Sequence, residues 1–277
     1  MVVAAVAAGF VFLPGMLAAF LLPPGLFAEY TSGTSALGLT LQLSGFAIPL
    51  WILRVMMRRV HDQETAVAFG RTDYVFDGAR LAFVNVFVVL FVFEAMPPWP
   101  DASTYVAVRP VATWALALGP GILAILVQVT AEEGFFRGYL QQRLAALDGR
   151  PLVWMVAPSV FFGALHYFNG SGPAEGVLWA LFATLLGLAC ADLTARHGTI
   201  GPAIGLHLTM NIFSFCIVGM DGAPQSGLAL FLLPYQDRSL FEFGLSDLFS
   251  PWGVFQALSL TLYVGCLWLA ARIGIRR

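Results

Sequence analysis

This sequence predicts an all-α fold, a polytopic membrane helix bundle of about eight transmembrane helices, and three observations predict it. Of its residues 59% are hydrophobic and only 11% are charged, where a soluble domain carries about 25% charged residues. The apolar residues run in stretches of roughly the 20 residues that a helix needs to cross a bilayer. Arginines collect in alternate connections between those stretches, as they do in a chain that crosses back and forth. A mean hydropathy of +0.81 excludes an ordinary globular domain. No basic stripe or aromatic RNA-binding pattern is present, so nucleic acid is not a partner.

The spans fall near 2–22, 36–57, 81–97, 111–133, 152–168, 174–194, 199–220 and 252–273. The first has no basic n-region and runs to Leu22-Pro23-Pro24-Gly25 without a cleavage site, so it reads as a span and not as a signal peptide. The fourth and fifth form a hairpin turning near Asp148-Gly149-Arg150-Pro151, since Gly ends a helix readily and Pro suits the first turn of the next. In the 221–250 connection the run Leu228–Leu233 is too short to cross and is expected at the interface or as a re-entrant segment. Residues 1–277 read as one integral membrane domain, with its motif-bearing core at about 111–220.

Arg54, Arg58, Arg59, Arg71 and Arg80 flank the second connection, Arg143 and Arg150 the fourth, Arg196 the sixth, and Arg272, Arg276 and Arg277 the end of the last span. The alternate connections hold Arg109 and Arg238 beside the acids Glu29, Asp101, Glu175, Asp237, Glu242 and Asp247. That alternation predicts cytoplasmic termini. All fourteen basic residues are Arg, a bias of GC-rich bacterial genomes, and the expected location is a bacterial inner membrane. Cys190, Cys216 and Cys266 lie in apolar runs and read as small buried residues.

Charge inside a span is costly, so intramembrane ionisable residues mark function by default. Glu132 and Glu133, with Arg137, close the fourth span. His166 closes Phe162-Gly163-Ala164-Leu165-His166, and His207 opens His207-Leu208-Thr209-Met210-Asn211. Glu132 lies seventeen residues before Gly149 and His166 seventeen after it, so an antiparallel hairpin sets both at one height, about 25 Å from the turn. Glu133 and Arg137, four apart, can pair on one helix face. Glu132 points about 100° away and is left for chemistry. His207 and Asn211 are also four apart and can share a cavity. Gly134 with Gly138, and Gly201 with Gly205, are small-residue pairs that let helices approach closely. Pro120 and Pro158 are expected to kink their helices. Asp192 and Glu94 lie near span ends and should reach the interface, while His61 and His197 should be solvated.

The three patterns Glu-Glu-x-x-x-Arg, Phe-x-x-x-His and His-x-x-x-Asn, in this order on consecutive apolar helices, resemble the CPBP family. This group comprises CAAX-protease-like and bacteriocin-processing intramembrane endopeptidases, also called the Abi family. The resemblance implies that Glu132 and His166 activate water, that His207 and Asn211 meet the substrate carbonyl or oxyanion, and that Glu133 and Arg137 support them. Peptide hydrolysis needs a general base and preorganised donors at the oxyanion, which these residue types supply. No Ser or Cys stands beside a His in the motifs, so a covalent nucleophile is not indicated. A metal-free mechanism without cofactor is expected. Zinc is the alternative, with Glu132, His166 and His207 as ligands, although the His-Glu-x-x-His signature is absent. The expected partners are membrane lipid and a peptide or protein substrate, lipidated or membrane-associated. A proton-coupled transporter is the rival class, against which stands the lack of an inverted repeat. An immunity scaffold without catalysis is a third reading.

Overall fold

The computed structural model describes residues 9, 12–61, 69–95, 107–234 and 244–275. Expectations placed on 2–8, on Asp101, Asp237, Arg238, Glu242, Arg276 and Arg277, and on the side chains of His61 and Glu94, lie outside them. The fold is all-α with a small accessory sheet. In chain order it contains α1 (Leu13–Leu21), α2 (Pro24–Ser32), α3 (Ala36–Ser44), α4 (Ala47–His61), α5 (Thr72–Ala95) and β1 (Ala107–Val108). There follow α6 (Val111–Leu147), α7 (Leu152–Asn169), α8 (Pro173–His197) and α9 (Gly201–Ile217). The chain then forms β2 (Val218–Met220), β3 (Phe231–Leu233) and α10 (Pro251–Gly274).

Among the described residues six helices are long and apolar enough to cross a bilayer: Ala36–Arg59, Thr72–Phe93, α6, α7, α8 and α10. They coincide with six of the eight expected spans. The described part of the first span is the nine-residue α1, broken at Pro23-Pro24. The seventh is shorter than expected: α9 ends at Ile217 and Val218 is already extended. The reason is pairing, since β2 runs parallel to β3, and β3 runs antiparallel to β1. The short run Leu228–Leu233 therefore ends as a strand. Arg109 holds this region together, donating to the carbonyls of Ala229 at 2.9 Å and Ser226 at 3.3 Å. Large exposed apolar residues such as Phe87, Leu116, Leu123, Phe255 and Leu262 suit contact with lipid far better than contact with water. The protein is an integral membrane protein.

Contacts gather the chain into two compact units. The first comprises Met1–Thr65, Phe91–Glu132 and Leu208–Tyr235; the second comprises Ala66–Leu90, Glu133–His207 and Gln236–Arg277. In the first, Gly121 leaves room for Leu228, and Trp114 donates to the Cys216 carbonyl at 3.0 Å. Pro120 sits inside α6, where its missing N–H leaves the Leu116 carbonyl without the usual donor four residues on.

In the second unit α8 packs between α7 and α10. Gly163 of α7 lies against Thr184 and the Ala180 carbonyl, and Gly187 of α8 against Ser159 and Arg137. Gly201 and Gly205 of α9 press on the backbone of Val75 and Ala79 in α5, which is the close approach their spacing predicts. Gly134 instead faces the ring of Phe69. The turn between α6 and α7 forms at the expected place, with Asp148 accepting from the Arg150 guanidinium at 2.9 Å. That guanidinium holds the partly exposed Asp148 carboxyl below the usual carboxylate range. Pro158 lies just past a wider, five-residue-spaced turn over Leu152–Val156, which relieves the clash an α-helix would place on the Trp154 carbonyl.

Three expectations change. Asp192 does not simply reach the interface: it pairs with Arg196 and accepts from Trp268 Nε1 of α10 at 2.9 Å. His197 is half-buried and bonded to Thr199 at 2.9 Å, where full solvation is expected. Cys190 and Cys216 are buried as expected, but Cys266 is on the exposed face of α10.

The seat of Gly163 yields a test. A methyl group there would meet the Ala180 carbonyl, which belongs to helix backbone and cannot swing aside. Gly163→Ala should lower the detergent unfolding midpoint, an overpacking cost of about 1–3 kcal/mol. Gly149→Ala, with open space around it, should leave the midpoint unchanged.

Candidate active site

The Glu-Glu-x-x-x-Arg motif sits where α6 changes its winding. The helix is α-helical through Glu133, widens to five-residue hydrogen bonding over Gly134–Gln141, and resumes at Gln142. Such wide turns recur at functional sites. Within the second unit Arg137 Nη1 donates to Glu133 Oε1 at 3.0 Å, with both side chains almost wholly removed from solvent. The expected ion pair therefore forms. The same oxygen receives His207 Nδ1 at 2.8 Å, a contact that sequence spacing could not show because 74 residues separate the two.

Phe162 is the ring around which this cluster is arranged. The Arg137 guanidinium carbon lies 4.8 Å above it. The rings of His166 and His207 lie 4.4 and 6.0 Å from it. With Phe136 at 5.7 Å from the same guanidinium, the arginine rests on aromatic faces that attract its charge without competing for Glu133.

Local chain geometry sets His166. The α-helical part of α7 ends at Leu165, and the backbone N–H of His166 turns to Gly163 and Ala164. The Phe162 carbonyl thereby loses its usual helical donor, and the His166 ring takes its place, Nδ1 to oxygen at 2.8 Å. A carbonyl only accepts, so Nδ1 carries the hydrogen, and neutral His166 presents a lone pair at Nε2. His207 obeys the same rule, because the Glu133 carboxylate also only accepts. Neutral His207 thus presents a lone pair at Nε2, and it donates from that nitrogen only when both ring nitrogens are protonated. Carboxylate-oriented imidazole is a common device for setting a catalytic tautomer.

Within the first unit a second network holds the other two predicted residues. Gln128 Nε2 donates to Glu132 Oε1 at 3.0 Å, and Asn211 Nδ2 donates to Gln128 Oε1 at 3.0 Å. Glu132 and Gln128 are buried, and Asn211 is half-buried. Thus Glu133, Arg137 and His207 are joined directly, Glu132 and Asn211 are joined through Gln128, and His166 is tied to its own helix. Sequence reading missed Gln128. Its signal was present: an amide in an apolar run, one helical turn before a carboxylate. It also missed Gln141, buried and donating to the Ala191 carbonyl at 3.1 Å.

Zinc needs three or four converging donors. Among the described residues no three His, Cys, Asp or Glu side chains are grouped to hold a metal ion.

Residues 113–213 match the family described as type II CAAX prenyl endopeptidase Rce1-like. The resemblance carried by the three motifs therefore holds, and all of them fall within the matched region. The chain is also similar to the uncharacterized protein YyaK of Bacillus subtilis (strain 168), 29% identical over 190 residues. That match covers 66% of this chain and 61% of the relative. No solved structure matches.

The shared oxygen of Glu133 predicts how its partners fail. Glu133→Gln and Arg137→Met each leave a buried charge uncompensated, at a cost of about 3–5 kcal/mol. Both variants should show lowered unfolding midpoints and poor yields after detergent extraction. Variants as stable as the parent yet inactive would instead put the pair among the reacting groups.

Proposed function

We propose that this chain, which carries the Rce1-like region of the CAAX-protease-like family, is an intramembrane endopeptidase that hydrolyses a peptide bond with water activated by Glu132 and His166. The supporting observation is the difference between its two adjacent buried carboxylates. Glu133 has a cation beside it and orients an imidazole. Glu132 is oriented by a neutral amide. Those contacts commit Glu133 to holding the cluster, while an amide steadies the Glu132 carboxylate in place for proton transfer, which suits a general base.

In this reading Glu132 takes one proton from water while His166 accepts from it through Nε2. The resulting hydroxide adds to the substrate carbonyl carbon, and its electron pair forms the new C–O bond. The carbonyl π pair moves to oxygen, where His207 and the Asn211 amide donate to the developing negative charge. In that role His207 carries both ring protons, with the Glu133 carboxylate as its counter-charge. Collapse of the tetrahedral species breaks the C–N bond, and the proton held by Glu132 passes to the leaving amine. The substrate is a peptide or protein segment reached at the membrane. The arginine-rich connections face the cytoplasm of a bacterial inner membrane.

Protein purified in detergent and assayed against a quenched peptide library should create new peptide ends. Glu132→Gln should abolish this cleavage with little change in yield or unfolding midpoint, because the amide keeps the size but cannot take the proton. Residual turnover near the parent rate would move the base to Glu133. A wild-type protein that carries peptides across a vesicle membrane uncut would favour the transporter class.

The metal-free mechanism has its own test. Active protein should hold far less than one equivalent of zinc and should keep its activity through prolonged dialysis against a strong chelator. Stoichiometric zinc, lost with activity in His166→Ala and His207→Ala, would make those histidines and Glu132 ligands and Glu133 the base.

A further inference from the structure

We infer that Gln128 is a positioning residue for this hydrolysis, aligning the Glu132 carboxylate and the Asn211 amide through one directed hydrogen-bond chain. The inference rests on the reading of Glu132 as the base. Gln128 lies one turn before Glu132 on α6 and is only 8% exposed. Both ends of its amide are engaged at 3.0 Å, the nitrogen by Glu132 and the oxygen by Asn211.

The direction of this chain follows from chemistry. An ionised carboxylate only accepts, so Gln128 must present its NH2 to Glu132. Its carbonyl oxygen then faces Asn211, which must present its own NH2 in turn. One N–H of Asn211 is spent on Gln128, and the second is held in a defined direction for a substrate oxygen. The Glu132 carboxylate is likewise restrained, because turning its plane gives up the bond to Oε1. Base and oxyanion donor lie on different helices, α6 and α9, and Gln128 is the side chain between them. A buried glutamine in a membrane helix is more commonly an interhelical fastener. Here the fastener ends on two groups that the reaction needs aligned, and a misplacement of about 1 Å there can cost about a hundredfold in rate.

The test uses full-length protein in detergent and a library peptide that wild type cleaves and Glu132→Gln does not. Gln128→Leu removes both ends of the amide. Gln128→Glu keeps the size and an acceptor for Asn211 but replaces the donor to Glu132 with a second carboxyl. Both variants should lose about 10- to 100-fold in kcat per folded molecule, with KM within about twofold of wild type. A fastener without a positioning role would instead lower the unfolding midpoint and the yield while leaving kcat per folded molecule intact. That result in either variant, or a raised KM at unchanged kcat, overturns the inference. Should Gln128→Leu fail to fold, Gln128→Glu decides alone. If Glu132→Gln still turns over, the base assignment has failed, and that outcome is read before any Gln128 variant is made.

Discussion

The buried charges among the described residues answer to one constraint: inside a lipid-facing bundle an ionised side chain must be met by another protein group. Glu133 is the point where that constraint is most severe, being fully buried with both Arg137 and His207 on one carboxylate oxygen. Those contacts decide other features. Arg137 lies over Phe162, a ring that two imidazoles also approach, and Gly187 is required where a larger residue would crowd the guanidinium. The wider winding of α6 over Gly134–Gln141 carries Arg137 within the same buried stretch.

A helix places successive side chains about 100° apart, so two adjacent carboxylates cannot share one environment. That rotation is the simplest account of why Glu132 and Glu133 belong to different networks. One network joins Glu133 to a cation and an imidazole, and the other joins Glu132 to the Gln128 and Asn211 amides. The same separation recurs on α9, where His207 bonds to Glu133 and Asn211 to Gln128. The helix α6 contributes two residues to each network and α9 one to each. The first network fixes the His207 tautomer, and the second ties the Glu132 carboxylate to Asn211 through Gln128.

Much of this was legible in the sequence, because it depends on periods that a helix imposes. The six long spans, the turn at Asp148–Arg150, the Glu133–Arg137 pair and the approach of Gly201 and Gly205 to a neighbouring helix all follow from hydropathy, from Gly and Pro at the turn, or from spacings of four. What spacing could not reveal is contact between distant segments. His207 with Glu133, Asn211 with Gln128, and Trp268 with Asp192 are pairings across 74, 83 and 76 residues. Hydropathy also failed where a strand replaced a helix. Phe213–Met220 is apolar enough to extend a span, yet the chain turns extended at Val218 to pair with Phe231–Leu233.

The histidines show how local backbone chemistry narrows a mechanism further than residue identity does. His-x-x-x-Asn and Phe-x-x-x-His say only that imidazoles are present. The loss of the Phe162 carbonyl's helical donor is what sends His166 Nδ1 to that oxygen, and the acceptor-only character of the carbonyl is what makes Nε2 the basic nitrogen. The same logic makes His207 a donor only in its doubly protonated form, beside a carboxylate that can balance the charge. Two chemically identical side chains in neighbouring positions around one phenyl ring thus have different hydrogen-bonding surroundings. His166 in its neutral form offers a hydrogen-bond acceptor at Nε2, and His207 offers a donor there only when doubly protonated. The difference comes from what each Nδ1 faces: a backbone carbonyl for one, a buried carboxylate for the other.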